Sequence, residues 1–185
     1  MKKLLALLLC VLMCAGSAFA ADKNDSGSRN YSQELVKAIR QFLIDDDWKF
    51  EFDDDTGIFR FGVNIGGKMK STSCRILIRD DSYTSYAISP INADTEDPDV
   101  MRNIAEFVCR ANYGIKNGNF ELDVRDGEIR YKVHVDCSGG LPAASVIKNS
   151  VYVPSLALER YAPGILDVIF AGKGAAESVE KCENQ

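Results

Sequence analysis

The chain has 185 residues, 46% hydrophobic and 26% charged, and its 27 Asp and Glu outnumber 22 Lys and Arg to leave a formal net charge of −5. That acidity argues against nucleic acid and against anionic lipid as partners. The length suits one domain, and folding at this size buries roughly 70% of the unfolded chain's surface, so no disulfide staple is needed to hold a core.

Residues 1–20 have the layout of an export signal. Met1-Lys2-Lys3 is basic, Leu4 to Ala15 is an apolar run of 12 residues, and Ser17-Ala18-Phe19-Ala20 ends in the small-x-small pattern read by signal peptidase. Twelve apolar residues fall short of the ~20 needed to span a bilayer as a helix. The expectation is cleavage between Ala20 and Ala21, no membrane span afterwards, and a periplasmic, cell-envelope or extracellular product. Loss of Lys2 and Lys3 then takes the formal charge from −5 to −7. The rival reading is a lipoprotein anchored through Cys14, which Met13 disfavours by sitting where a small residue belongs.

Residues 21–31 are small and polar and read as a disordered leader. Ser32 is placed to cap a helix from Gln33 to about Ile44, with Leu35, Ile39 and Phe42 at helical spacing. The period then changes to two. Trp48, Phe50 and Phe52 alternate with Lys49, Glu51 and Asp53; Phe59, Phe61, Val63 and Ile65 alternate with polar or small neighbours; Cys74, Ile76 and Ile78 follow. A fourth strand spans Tyr83 to Ser89, with Tyr86 and Ile88 expected inward. Short turns between these runs predict an antiparallel meander of four strands.

Asp97-Pro98 is an N-cap followed by proline at the first helical position, opening a second helix that Gly114 stops. Asn117 to Cys137 then predicts a hairpin turning on Asp126-Gly127, which two-residue type I′ turns favour. That register pairs Arg125 with Glu128, Asp123 with Arg130 and Glu121 with Lys132 on one face. On the other it pairs Val124 with Ile129, Leu122 with Tyr131 and Phe120 with Val133. Pro154 and Pro163 break the remaining apolar stretch into helical pieces, and 173–185 is a polar tail. The fold class is therefore α+β: a meander plus a hairpin in one antiparallel sheet, with helices packed on one face. The domain occupies 32–172.

Four cysteines remain after export: Cys74, Cys109, Cys137 and Cys182. Buried thiols acting as small hydrophobes are the preferred reading, and a Cys109–Cys137 disulfide is the sharper alternative that an oxidising compartment permits. Asp45-Asp46-Asp47 and Asp53-Asp54-Asp55 lack the spacing of a calcium loop and read as turn residues. His134 shares a polar face with Arg130 and Lys132, opposite Asn119, without a nucleophile or orienting carboxylate beside it. No phosphate loop, nucleophile elbow or zinc-protease pair occurs, so no catalytic residue, metal or cofactor is expected. Ile58, Leu77, Tyr83 and Tyr31 fall outside their strands' inward sets and give the second face of the sheet some apolar character.

The segments Phe107-Val108-Cys109-Arg110-Ala111-Asn112-Tyr113-Gly114, Gly118-Asn119-Phe120-Glu121-Leu122-Asp123 and Asp126-Gly127-Glu128-Ile129-Arg130-Tyr131-Lys132 together resemble the YbjN-like family, described as bacterial sensory transduction regulators. The resemblance covers about 32–170. It implies a fold similar to class I type III secretion chaperones and a non-enzymatic protein-interaction role, regulatory or chaperone-like, with a homodimer as one form it can take. It carries no catalytic residues, and the export signal sets this chain apart from the cytoplasmic members. The leading expectation is thus an exported module that binds a protein or peptide through its sheet face or an edge strand. The alternative is a binder of small molecules or envelope polymers, in a pocket between the sheet and the Pro154–Phe170 helices.

Overall fold

The computed structural model describes residues 30–184; the expected signal segment, its expected cleavage site and most of the expected leader lie outside them. Six strands and four helices follow in the described residues. The order is α1 (Gln33–Asp45), β1 (Glu51–Asp53), β2 (Ile58–Asn64), β3 (Ser71–Ile78), β4 (Ser82–Ile88), α2 (Pro98–Asn112), β5 (Asn119–Leu122), β6 (Ile129–Asp136), α3 (Ala144–Ala171) and α4 (Ala175–Glu183).

The helix starts are set as the sequence predicts. The Leu35 N–H donates to Ser32 Oγ at 3.2 Å. The Asp99 and Val100 N–H groups donate to Asp97 Oδ1 at 2.9 and 3.1 Å, with Pro98 at the first helical position. The strands form one antiparallel sheet in the order β1-β2-β3-β4-β6-β5. The core lies between the sheet and the helices, where Phe59, Ile76, Ile78, Tyr83, Ile129 and Tyr131 meet Ile39, Leu43, Ile104, Phe107, Leu158 and Ile165.

Several expectations are corrected. The hairpin is present but its register is shifted by two residues: Phe120 lies opposite Tyr131, Glu121 opposite Arg130 and Leu122 opposite Ile129. The cause is the turn. Asp123 and Asp126 each fold the chain back through their side chains, accepting from the Arg125 and Glu128 N–H groups at 3.0 Å, so the loop takes 123–128 rather than two residues. A shift of two preserves the faces, so Phe120, Ile129 and Tyr131 stay buried while Val124 is exposed. In β4 the inward residues are Tyr83, Ser85 and Ala87; Tyr86 and Ile88 point the other way. Tyr31 is also buried, its ring over Gly57 and its hydroxyl donating to the Asp54 carbonyl.

The C-terminal third departs furthest. α3 runs unbroken through Pro154 and Pro163. Each proline forfeits a helical hydrogen bond, a cost of about 3 kcal/mol. The helix also buries Ile147, Val151, Leu158, Tyr161, Ile165 and Val168, and full burial of such side chains contributes about 1.5–3 kcal/mol each. Packing outweighs the breaks. The expected polar tail contains α4, which buries Ala175, Ser178, Val179 and Cys182 and closes on α3 where Gly164 leaves no room for a side chain. No helix of the described residues is long and apolar enough to cross a membrane.

Candidate interaction surface

Because the helices pack on one face of the sheet, the strand residues of opposite parity form a second, uncovered face. Antiparallel register aligns them in rows across the strands. One row reads Glu51, Arg60, Arg75, Tyr86, Lys132, Asn119. A second reads Asp53, Ile58, Leu77, Thr84, His134, and a third Gly62, Ser73, Ile88, Arg130, Glu121. Ile58, Leu77, Tyr86 and Ile88 are only half-buried there, so apolar and charged groups alternate on a surface that nothing among the described residues covers. Ile58 and Leu77 lie where the sequence placed them; Tyr83 and Tyr31 do not, having gone to the core.

The β6 end of this face is held by one ionic cluster. Arg130 Nε donates to Glu121 Oε2 at 2.8 Å, Lys132 pairs with the other oxygen, and the Arg130 guanidinium lies 4.5 Å from the Tyr86 ring centroid. Burial raises the Glu121 carboxyl, but its hydrogen bonds from Lys132 and Arg130 outweigh that and hold it below the usual carboxylate range. The expected Asp123–Arg130 and Arg125–Glu128 pairs are replaced: Arg125 forks onto Asp123 two residues away, and Glu128 approaches Arg130 at 3.4 Å. His134 is exposed and lies opposite Thr84 rather than Asn119, its Nδ1 3.0 Å from Thr84 Oγ1.

Toward the β1 end the face sinks into an open groove of about 790 Å³. Gly62, Ser71 and Ser73 floor it, Lys49 to Glu51 form one wall, and Ile88 and Pro90 form the other. On the helix side a smaller groove of about 590 Å³ lies between residues 114–117 and α3, lined by Tyr131, Val153, Leu156 and Arg160.

The two edges of the sheet differ. On β5 the Asn112 carboxamide accepts from the Phe120 N–H at 2.7 Å and donates to the Phe120 carbonyl at 3.0 Å. It supplies both bonds that a further strand would make there, closing the edge. Sequence reasoning missed this residue; its one signal is a carboxamide ending a helix beside the next strand. At the other edge β1 is three residues long and pairs only with 58–60 of β2.

The remaining candidates are dispersed. Cys74, Cys109, Cys137 and Cys182 are free thiols, with Cys109 exposed on α2 and Cys137 buried beyond β6. Burial pushes the Cys74 thiol up to about 11, against the opposing contact with Ser155 Oγ at 3.3 Å. Among the described residues no three His, Cys, Asp or Glu side chains gather as a metal site. Asp46, from the first acidic run, accepts from Trp48 Nε1 at 2.8 Å and from the Tyr152 hydroxyl at 2.5 Å, tying the end of α1 to α3. Asp53 orders its own turn through the Asp55 and Thr56 N–H groups.

A two-layer α+β protein with one face of its sheet covered by helices and the other uncovered by the described residues is thus defined. The chain belongs to the YbjN family: the family model, described as "Putative bacterial sensory transduction regulator", matches residues 35–165. The fold is also that of a solved structure, "Crystal structure of YbjN, a putative transcription regulator from E. coli", at 14% sequence identity and a TM-score of 0.52. The match covers 69% of this chain and 90% of the E. coli protein. No curated protein matches significantly.

Proposed function

We propose that this YbjN-family chain is an exported, non-enzymatic module that binds an extended segment of another protein across the uncovered face of its sheet, in a regulatory or chaperone-like role. The observation that carries this reading is the face itself. Half-buried Ile58, Leu77, Tyr86 and Ile88 supply apolar contact, and the surrounding Arg and Glu side chains supply orientation, the division of labour found in protein interfaces. The export signal in residues 1–20 supports an envelope or extracellular setting.

The test is site-specific photo-crosslinking of the mature protein in its own envelope and culture supernatant. A photoreactive residue at Leu77 or Tyr86 should capture a discrete partner, and one at exposed Arg102 on α2 should not. Equal capture from Arg102, or none from the sheet positions, would overturn the reading. The groove beside α3 favours a second reading, a small amphipathic ligand held between Val153, Tyr131 and Arg160. A ligand there would raise the melting temperature of the isolated protein without changing crosslinks from Leu77.

A further inference from the structure

Resting on that reading, we infer what the partner brings to the open face: an acidic side chain, Asp or Glu, whose carboxylate pairs with Arg75 at the centre of the sheet. Every other arginine or lysine in the three rows has a counter-ion within the chain. Arg60 Nη1 lies 3.3 Å from Asp53 Oδ2, Arg130 pairs with Glu121 and Glu128, and Lys132 pairs with Glu121. Arg75 is exposed, and among the described residues its side chain has no ion pair, hydrogen bond or ring contact. The register gives the reason. Arg75 lies opposite Arg60 on β2 and Tyr86 on β4. The diagonal positions hold Ile58, Gly62, Thr84 and Ile88, so no carboxylate stands beside it on either neighbouring strand. The Tyr86 ring is already occupied by the Arg130 guanidinium. Like charges directly opposite each other destabilise a sheet, so packing within the chain does not account for Arg75.

The surroundings set the occupant. Half-buried Ile58, Leu77, Tyr86 and Ile88, the apolar groups that a docked segment covers, ring Arg75. A segment that covers them also takes the guanidinium out of water. Burying an arginine without a counter-ion is strongly unfavourable, whereas a carboxylate accepts from it through both oxygens in a charge-assisted pair. The apolar ring then excludes water from that pair, the arrangement of an interface hot spot. The flank is open from the front. A Cβ on Gly62 would meet nothing within 4 Å, and the groove of about 790 Å³ floored by Gly62 and Ser73 opens there. A second copy of the chain does not meet the requirement: laid face to face about a two-fold axis at Arg75, it would set one guanidinium against the other. The occupant that fits is a segment of another protein with an Asp or Glu flanked by apolar residues.

The experiment selects random displayed peptides on the mature protein and on its Arg75→Gln and Arg75→Glu variants, then maps the selected peptides on the backbone amide spectrum. Arg75 is exposed and faces Arg60, so both variants should melt no lower than wild type. Peptides selected on the wild type should carry an Asp or Glu beside apolar residues and shift the amides of Leu77, Tyr86 and Ile88. Arg75→Gln should weaken them about tenfold or more, and Arg75→Glu should select Lys or Arg at the acidic position. Converting the peptide's acid to its amide should cost wild-type binding as much as Arg75→Gln does, which keeps the test decisive if a variant melts early. Peptides that shift the same amides without an acid, or that bind Arg75→Gln as tightly as wild type, overturn the inference and uphold the open-face reading. Wild-type protein that dimerises through this face in sedimentation also overturns it, a second copy then being the occupant. Peptides that bind only elsewhere, or no selection at all, count against both.

Discussion

Gly127 is the residue on which the hairpin and the segment leading into α2 both rest. Its φ is +74°, and a Cβ built on it would lie 2.0 Å from the Ala93 carbonyl oxygen and 2.9 Å from the Ala93 carbonyl carbon. The same contact carries the bond from the Ala93 N–H to the Gly127 carbonyl at 2.9 Å, and Asn92 Nδ2 donates to the Asp126 carbonyl at 3.2 Å. Gly127→Ala therefore acts twice. A left-handed conformation costs a residue with a Cβ about 1–2 kcal/mol. Backbone cannot yield 2 Å without moving the 89–97 segment, which loses both hydrogen bonds at about 1 kcal/mol each. The expected destabilisation is about 3–4 kcal/mol, a fall of about 10 °C in melting temperature for a domain of this size. Two control glycines separate the contributions. Gly172, φ +61° with nothing within 4 Å, tests conformation without a clash, and Gly139, with neither feature, tests the background. Thermal and urea melts of the three alanine variants should rank Gly127 well below Gly172, with Gly139 within about 0.5 kcal/mol of wild type. A Gly127→Ala protein no less stable than Gly172→Ala would refute the proposed seating of Ala93.

Asn112→Ala should cost about 1–2 kcal/mol by urea denaturation, because the Phe120 N–H loses its acceptor and the Phe120 C=O keeps only Asn119 Nδ2 at 3.1 Å. It should also raise self-association in sedimentation by exposing the β5 edge; stability loss without association would show that the edge is protected by something else. Under native conditions Cys109 should react with a thiol reagent well before Cys74, whose burial both shields it and keeps it protonated, and two fast thiols would contradict this packing. The Glu121 carboxyl is held below its ordinary range in the folded state, so its contribution is present above the unfolded carboxylate pKa and is lost as pH falls through the folded one. Glu121→Gln should accordingly be less stable than wild type at pH 7, with the gap closing as the solution is acidified; a gap that widens in acid would reverse the sign assigned to the Arg130–Glu121–Lys132 cluster.

What could be read from the sequence follows from how local its cause is. Ser32 and Asp97 cap their helices with side chains two or three residues from the groups they satisfy, and such signals survive folding unchanged. The hairpin's faces were legible because a period of two is written along the chain. Its register was not, because Asp123 and Asp126 each fold the chain back through their side chains and lengthen the turn beyond Asp126-Gly127. The orientation of β4 was misread because Tyr83 resembles a surface residue until Ser150 Oγ, 67 positions away, is found 2.8 Å from its hydroxyl. Burial nonetheless drives Tyr83 up to about 12, so the phenol is a neutral core group. The same non-local logic hid α4, whose polar composition masks Ala175, Val179 and Cys182 aligned on one stripe, and carried α3 through two prolines. The candidate surface stands between these cases. Arg60, Arg75, Arg130 and Lys132 were visible as a charged alternation, yet their meaning depends on the helices all choosing the opposite face. The brevity of the β1 edge is a further case: the strand begins at Glu51, three residues after Trp48, where the Trp48, Phe50, Phe52 alternation starts. Trp48 and Phe50 are drawn out of the ladder by contacts the local pattern does not contain: Trp48 to Asp46 and Tyr152, and Phe50 under the Arg40 guanidinium at 5.9 Å. The short β1 edge is thus a product of aromatic packing on the covered face.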